Sequence, residues 1–158
     1  SSRDVQQNVF RLHIAWASQV GKPLVVHVRD AMEDALGIIR NTDPKGLKLL
    51  FHCYAGGLDH LEDMKELDAY MALGGPVTWP KNGELREVAA RLPENRLLCE
   101  TDAPWLTPAP HRGKLNEPAN VCYVYEAVAA ARGVSLEVLA RLVDANASSF
   151  FGWGMLHD

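Results

Sequence analysis

The chain has 158 residues, a formal net charge of −4 and a pI near 5.8, with 47% hydrophobic and 23% charged residues. That is enough chain for one domain with a real core, and the composition excludes the disordered and fibrous classes. No Lys/Arg run is present, which excludes strong nucleic-acid binding through bulk charge but not binding through metal ions, which bring their own positive charge.

Cys53, Cys99 and Cys122 are widely spaced with no C-x-x-C pair, a pattern that fits a reducing cytoplasm rather than a disulfide framework or a zinc finger. No apolar run reaches the roughly 20 residues of a membrane span. Ser1-Ser2-Arg3-Asp4 has no signal-peptide character and no initiator Met, so the chain reads as a fragment or a processed product.

Val5, Val9, Leu12, Trp16 and Val20 fall at steps of three and four, which predicts a helix over Asp4 to Val20 docking by that stripe and stopped by Gly21. His13 lies off the stripe, on the surface. Pro23 to Arg29 is a β-branched run and predicts a strand buried on both faces. Asp30 is placed to cap the next helix, whose inner stripe includes Met32, Leu36 and Ile39. After a turn cluster from Asn41 to Gly46, Leu47 to Cys53 is the second strand, and Leu58, Leu61, Met64 and Leu67 mark another helix.

Ala69 to Leu73 is the third strand, ending at Gly74-Gly75, where a ligand or a neighbouring backbone must come close. Asn82 is placed to cap a helix carrying Leu85, Val88, Ala89 and Leu92, and Arg96 to Glu100 is the fourth strand. A long Pro-rich loop from Leu106 to Pro118 follows, of the kind that carries function in a compact domain. Two helices close the chain: one over Pro118 to Arg132, stopped by Gly133, and one from Ser135 with Leu136, Leu139, Ala140 and Val143 inward. The tail Phe150-Phe151-Gly152-Trp153 reads as an aromatic plug. Strand and helix alternate four times with no linker or repeat, so residues 1–158 form a single α/β domain with a parallel sheet.

Ligand sites of such sheets lie at the carboxyl ends of the strands, where His27, His52 and Asp102 all fall. Two imidazoles and a carboxylate from separate strands are the ligand types of a divalent catalytic metal. Glu100, two residues before Asp102, reads as an acid that orients a histidine from behind. Arg29 either holds a substrate phosphate or pairs with Asp30 or Glu33. His111, Arg112 and Lys114 either contact an anionic substrate or form an ordinary polar loop.

These stretches resemble the TatD family of metal-dependent deoxyribonucleases, within the amidohydrolase-type barrels. The resemblance rests on Lys22-Pro23-Leu24-Val25-Val26-His27-Val28-Arg29-Asp30-Ala31, on Phe51-His52-Cys53-Tyr54-Ala55-Gly56 and on Glu100-Thr101-Asp102-Ala103-Pro104-Trp105-Leu106. His111-Arg112-Gly113-Lys114-Leu115-Asn116-Glu117-Pro118 is its most specific part, and Asn146-Ala147 to Phe151-Gly152 resembles the family's ending. It implies hydrolysis of DNA phosphodiester bonds at a pair of divalent metals, His27 and His52 binding one and Asp102 the other, with Asp102 helping to deprotonate the attacking water.

The family's first-strand His-x-His pair and its metal-bridging glutamate have no counterpart here. A (β/α)8 barrel needs about 250 residues. The resemblance is therefore to the C-terminal half of a TIM-type barrel, about four βα units. Such a half is expected to self-associate or pair with a missing N-terminal half, and to show little or no nuclease activity alone, without assembling the full two-metal site. Two alternatives stand beside this reading: a non-catalytic truncated or half-barrel protein, and a related barrel hydrolase acting on amides or lactones.

Overall fold

Four short strands lie side by side in chain order, all parallel: β1 (Leu24–Val26), β2 (Leu49–Phe51), β3 (Tyr70–Leu73) and β4 (Leu97–Cys99). The computed structural model describes residues 1–153. Helices α1 (Arg3–Val20), α2 (Met32–Thr42), α3 (Leu61–Glu66), α4 (Gly83–Arg91), α5 (Val121–Arg132) and α6 (Leu136–Phe151) precede, connect and follow the strands. Leu24 pairs with Leu49, Leu50 with Tyr70, and Met71 with Leu97. Every residue of β2 and β3 is buried, as the continuous apolar runs predict for central parallel strands. Leu36 and Ile39 of α2, Val88 of α4, Val124 and Val128 of α5, and Leu139 and Phe150 of α6 complete the core.

Polar anchors lock the helices to this sheet. The buried Asn146 amide of α6 donates to the carbonyls of Glu94 (2.7 Å) and Leu97 (2.8 Å), at the start of β4. Arg132 of α5 donates to the carbonyls of Ala89 and Leu92 at the end of α4. Gly133 takes the left-handed conformation that ends α5, as predicted, and Ser135 Oγ accepts from Val138 N–H at the start of α6.

The first helix departs from expectation. Ile14 and Ala17 are buried, with Phe10 partly so, whereas Val5, Val9, Leu12, Trp16 and Val20 are 43 to 63% exposed. The helix carries apolar residues on two faces, and the less regular one docks on α2 and β1. The first strand is also shorter than predicted: it ends at Val26, so His27 and Arg29 lie just past it. Val25 is half exposed because β1 is an edge strand with one uncovered face, not the doubly buried strand expected.

Asp30 does not cap α2; its φ is +53 and Ala31 precedes the helix. Asn82 stands at the start of α4, but its side-chain amide donates to Pro76 O and leaves the helix uncapped. Leu136 and Ala140 face outward on α6, and in the tail only Phe150 is buried, with Phe151 and Trp153 exposed.

Of the Gly74-Gly75 pair, Gly75 answers to a backbone rather than to a ligand. A Cβ on Gly75 would stand 1.8 Å from the Leu106 carbonyl oxygen, so only glycine lets the loop after β4 lie on the end of β3. Gly75→Ala is therefore expected to lower stability by about 1–3 kcal/mol in urea unfolding. Gly37→Ala, inside α2 with open space around it, should raise stability by about 0.5–1 kcal/mol.

Candidate functional site

Backbone hydrogen bonds run past the ladders and fix the strand-end residues in register. His52 N–H donates to Val26 O (3.1 Å), Tyr54 N–H to Ala72 O (2.9 Å) and Glu100 N–H to Leu73 O (3.0 Å). The residues following β1, β2 and β4 thereby share one rim, the carboxyl edge of the sheet.

On that rim His27 Nδ1 lies 2.8 Å from His52 Nε2, and His52 Nδ1 lies 3.2 Å from Glu100 Oε1. With the His52 proton on Nδ1, that N–H donates to Glu100 and Nε2 presents its lone pair toward His27. Two imidazole nitrogens bound to one divalent ion stand about 3 Å apart, given metal–nitrogen distances of about 2.0–2.1 Å. The spacing of the pair fits joint ligation, and a carboxylate behind the second histidine is the usual means of fixing its tautomer.

Glu100 is largely enclosed, and burial raises its pKa above the ordinary carboxylate value; the nearby Asp102 raises it further, while His52 and the Cys53 backbone oppose the shift. Asp102 is half-buried with φ +55, and its carbonyl accepts from Trp105 N–H at 2.8 Å. Among the described residues, no group of three or more His, Cys, Asp or Glu side chains converges on one point. The rim gathers His27, His52 and Glu100, and holds Asp102 near them without closing a cage.

Cys53 belongs to this neighbourhood although its sequence gave no signal beyond following His52. It sits in the left-handed region (φ +47), and burial followed by the Glu100 and Asp102 charges pushes its thiol up to about 12. Burial does the same to Cys99, also up to about 12.

The long loop is pinned by one buried side chain. Asn116 Nδ2 donates to Thr101 O (2.8 Å) and Trp105 O (2.7 Å), and its Oδ1 accepts from Glu117 N–H (3.0 Å) and Asn120 Nδ2 (2.9 Å). His111 Nε2 lies 2.9 Å from the Tyr123 hydroxyl, and the Arg112 guanidinium lies 4.4 Å over the Trp79 ring. Trp79 in turn donates to Thr107 O. Among the described residues, neither His111 nor Arg112 hydrogen-bonds to His27, His52, Glu100 or Asp102. Arg29 is exposed, 3.9 Å from Asp30, and with His27 lines a cavity of about 660 Å³ between α1 and the β1–α2 turn.

The sequence profile of a family described as "TatD related DNase" matches residues 1–152. The chain is 38% identical over 151 residues to a Bacillus subtilis protein named "Uncharacterized metal-dependent hydrolase YabD", the match covering 96% of this chain and 59% of the relative. It is 32% identical over 157 residues to a Pantoea ananatis protein named "3'-5' ssDNA/RNA exonuclease TatD", covering 96% of this chain and 60% of that one. The chain thus spans about three fifths of the length of these relatives. The crystal structure of YjjV, a TatD homologue from Escherichia coli K12, superposes with a TM-score of 0.81 at 24% identity over 88% of this chain and 53% of that one. A TatD family hydrolase from Entamoeba histolytica superposes at 0.84 and 18% identity, over 98% and 59%. The fold is therefore the α/β fold of that group. The profile match runs along nearly the whole chain and gives no support to restricting the resemblance to a C-terminal portion.

The thiol environments predict a labelling order. At pH 8 the exposed Cys122 is expected to react first with iodoacetamide, with Cys53 and Cys99 holding a thiolate fraction roughly a thousandfold below that of an ordinary thiol. Mass spectrometry of timed aliquots reads the order directly.

Proposed function

The chain belongs to the TatD family of metal-dependent hydrolases, and on that premise we propose that its strand-end rim serves hydrolysis of nucleic-acid phosphodiester bonds. The observation that carries the reading is the His27–His52–Glu100 relay, two imidazole nitrogens at chelating distance with a buried carboxylate behind the second. The exonuclease name of the Pantoea relative supports a nucleic-acid substrate; the Bacillus relative is named only as a hydrolase. The three unpaired cysteines support a reducing, cytoplasmic setting, and among the described residues no helix is long and apolar enough to cross a membrane.

His27 Nδ1 and His52 Nε2 would hold a divalent metal ion, and Asp102 would ligate a second. Bound metal supplies polarisation of the phosphoryl oxygens and a water that loses its proton near neutral pH. Glu100 holds His52 in the tautomer that frees Nε2. Asp102, on the open side of the rim, accepts the proton of the attacking water. Arg29 on one flank, and His111 and Arg112 on the other, steady the phosphates of the strand. Arg112 is already oriented by Trp79 beneath it. With two histidines rather than a closed cage, this chain alone is expected to hold metal weakly and cleave slowly.

The test measures metal binding and cleavage together. His52→Ala should lower the affinity for Mn²⁺ or Zn²⁺ at least tenfold in equilibrium dialysis and abolish metal-dependent cleavage of single-stranded DNA. Glu100→Gln should cost about 10–100-fold in affinity or rate. An unchanged cleavage rate in His52→Ala overturns the assignment, and a substrate panel preferring amides or lactones would favour the alternative chemistry.

The exposed stripe of α1 supports self-association. Val5, Val9, Leu12 and Trp16 step by four, three and four, the spacing of a helix seam that a second copy of the same helix complements by two-fold symmetry. Sedimentation velocity should show a concentration-dependent dimer that Trp16→Glu converts to monomer; a monomer at all concentrations removes the proposal.

A further inference from the structure

Beside the histidine relay lies a smaller cavity, of about 240 Å³, between the β2–α3 loop and the segment leading into α4. Cys53 and Gly74 form its inner wall, and a Cβ on Gly74 would stand 3.6 Å from Glu100 Cγ, so the cavity abuts the acidic side of the rim. Pro76 and Leu85 give it an apolar wall. Lys81 and Glu84 supply its charges.

Those two charges define what fits. Glu84 Oε1 accepts from Leu58 N–H at 3.0 Å, which holds this exposed carboxylate at the cavity wall as a hydrogen-bond acceptor. Lys81 is exposed, and among the described residues it makes no ion pair. A bare phosphate would meet Glu84 as a like charge. A ligand with hydrogen-bond donors at one end, an apolar ring face in the middle and an anion at the other end satisfies every wall, and that pattern is a nucleotide. The volume lies just below the range of about 300–1,000 Å³ usual for small-molecule sites, which suits a single unit rather than a longer segment.

We propose that this cavity is a nucleotide subsite: it seats the nucleoside unit next to the scissile phosphate, with Glu84 accepting hydrogen bonds from its sugar or base and Lys81 pairing with its outer phosphate. The proposal rests on the reading of the adjoining rim as the hydrolytic centre. It makes Lys81 and Glu84 specificity residues that take no part in the chemical step.

The test needs no metal and no turnover. Thymidine 5′-monophosphate is titrated into the protein in EDTA, with ¹H–¹⁵N spectra followed at Gly57, Gly74, Asn82 and Lys81. Saturable shifts confined to these residues are expected with the nucleotide and not with inorganic phosphate. Lys81→Gln should weaken binding about fivefold and Glu84→Gln should alter it without loss of fold, since exposed ionic contacts contribute on the order of 1 kcal/mol. Ala55→Phe, at the exposed mouth, should block binding sterically. No shift with the nucleotide, equal shifts with inorganic phosphate, or indifference to both Lys81→Gln and Ala55→Phe overturns the subsite. If His52→Ala leaves cleavage intact while the nucleotide still binds here, the reading of the rim fails and the cavity stands only as a nucleotide site apart from the hydrolytic centre; loss of cleavage in His52→Ala with no nucleotide binding here keeps the rim and overturns the subsite.

Discussion

The Asn116 side-chain amide is the constraint on which the strand-end face depends. A buried amide has two donors and one carbonyl acceptor, and here all are used, on Thr101, Trp105, Glu117 and Asn120. Leaving any one unpaired in a buried position would cost about 1–3 kcal/mol, so the four bonds hold or fail together. Thr101 and Trp105 flank Asp102, and the amide therefore sets where that carboxylate stands. The contact of Leu106 O with Gly75 carries the same restraint across to β3. A loop that would otherwise be mobile becomes a rigid lip on the sheet.

Behind that lip the electrostatics oppose one another. Glu100 and Asp102 leave β4 two residues apart, and Glu100 is largely enclosed, so burial and its neighbour both disfavour its charge. The His52 N–H and the Cys53 backbone lower the cost of keeping it ionised. A cation shared by His27 and His52 would act in the same direction, because a nearby positive charge favours every carboxylate around it. The tension in the rim is thus of the sign that a bound cation relieves.

Some of this was legible in the sequence for definite physical reasons. Leu49–Phe51 and Tyr70–Leu73 are buried on both faces, so an unbroken apolar run identifies them. The strand ends followed, and with them Glu100 as an acid beside a histidine, though not which histidine; the structure gives His52. The docking face of α1 was not legible: its regular stripe of Val5, Val9, Leu12 and Trp16 and the irregular face of Phe10, Ile14 and Ala17 are both apolar, and periodicity gives a helix without saying which face packs. Asp30 and Asn82 are cap-type residues at the right places, yet Asp30 is taken by the turn and Asn82 by Pro76 O. The seat of Arg112 on Trp79, 33 positions away in sequence, depends on how two loops meet, which no local pattern encodes.

The backbone adds a further constraint. Asp30, Cys53 and Asp102, which follow β1, β2 and β4, all lie in the left-handed region, with φ of +53, +47 and +55. Asp tolerates that conformation through local hydrogen bonding, whereas Cys gains no such help and carries a strain of about 1–2 kcal/mol. Glycine would remove the strain, so its absence at position 53 argues that the side chain itself is needed there. Cys53 lines the cavity of about 240 Å³, and burial, followed by the charges of Glu100 and Asp102, keeps its thiol protonated. A small neutral side chain there adds no third negative charge beside the two carboxylates, a combination that neither glycine nor aspartate supplies.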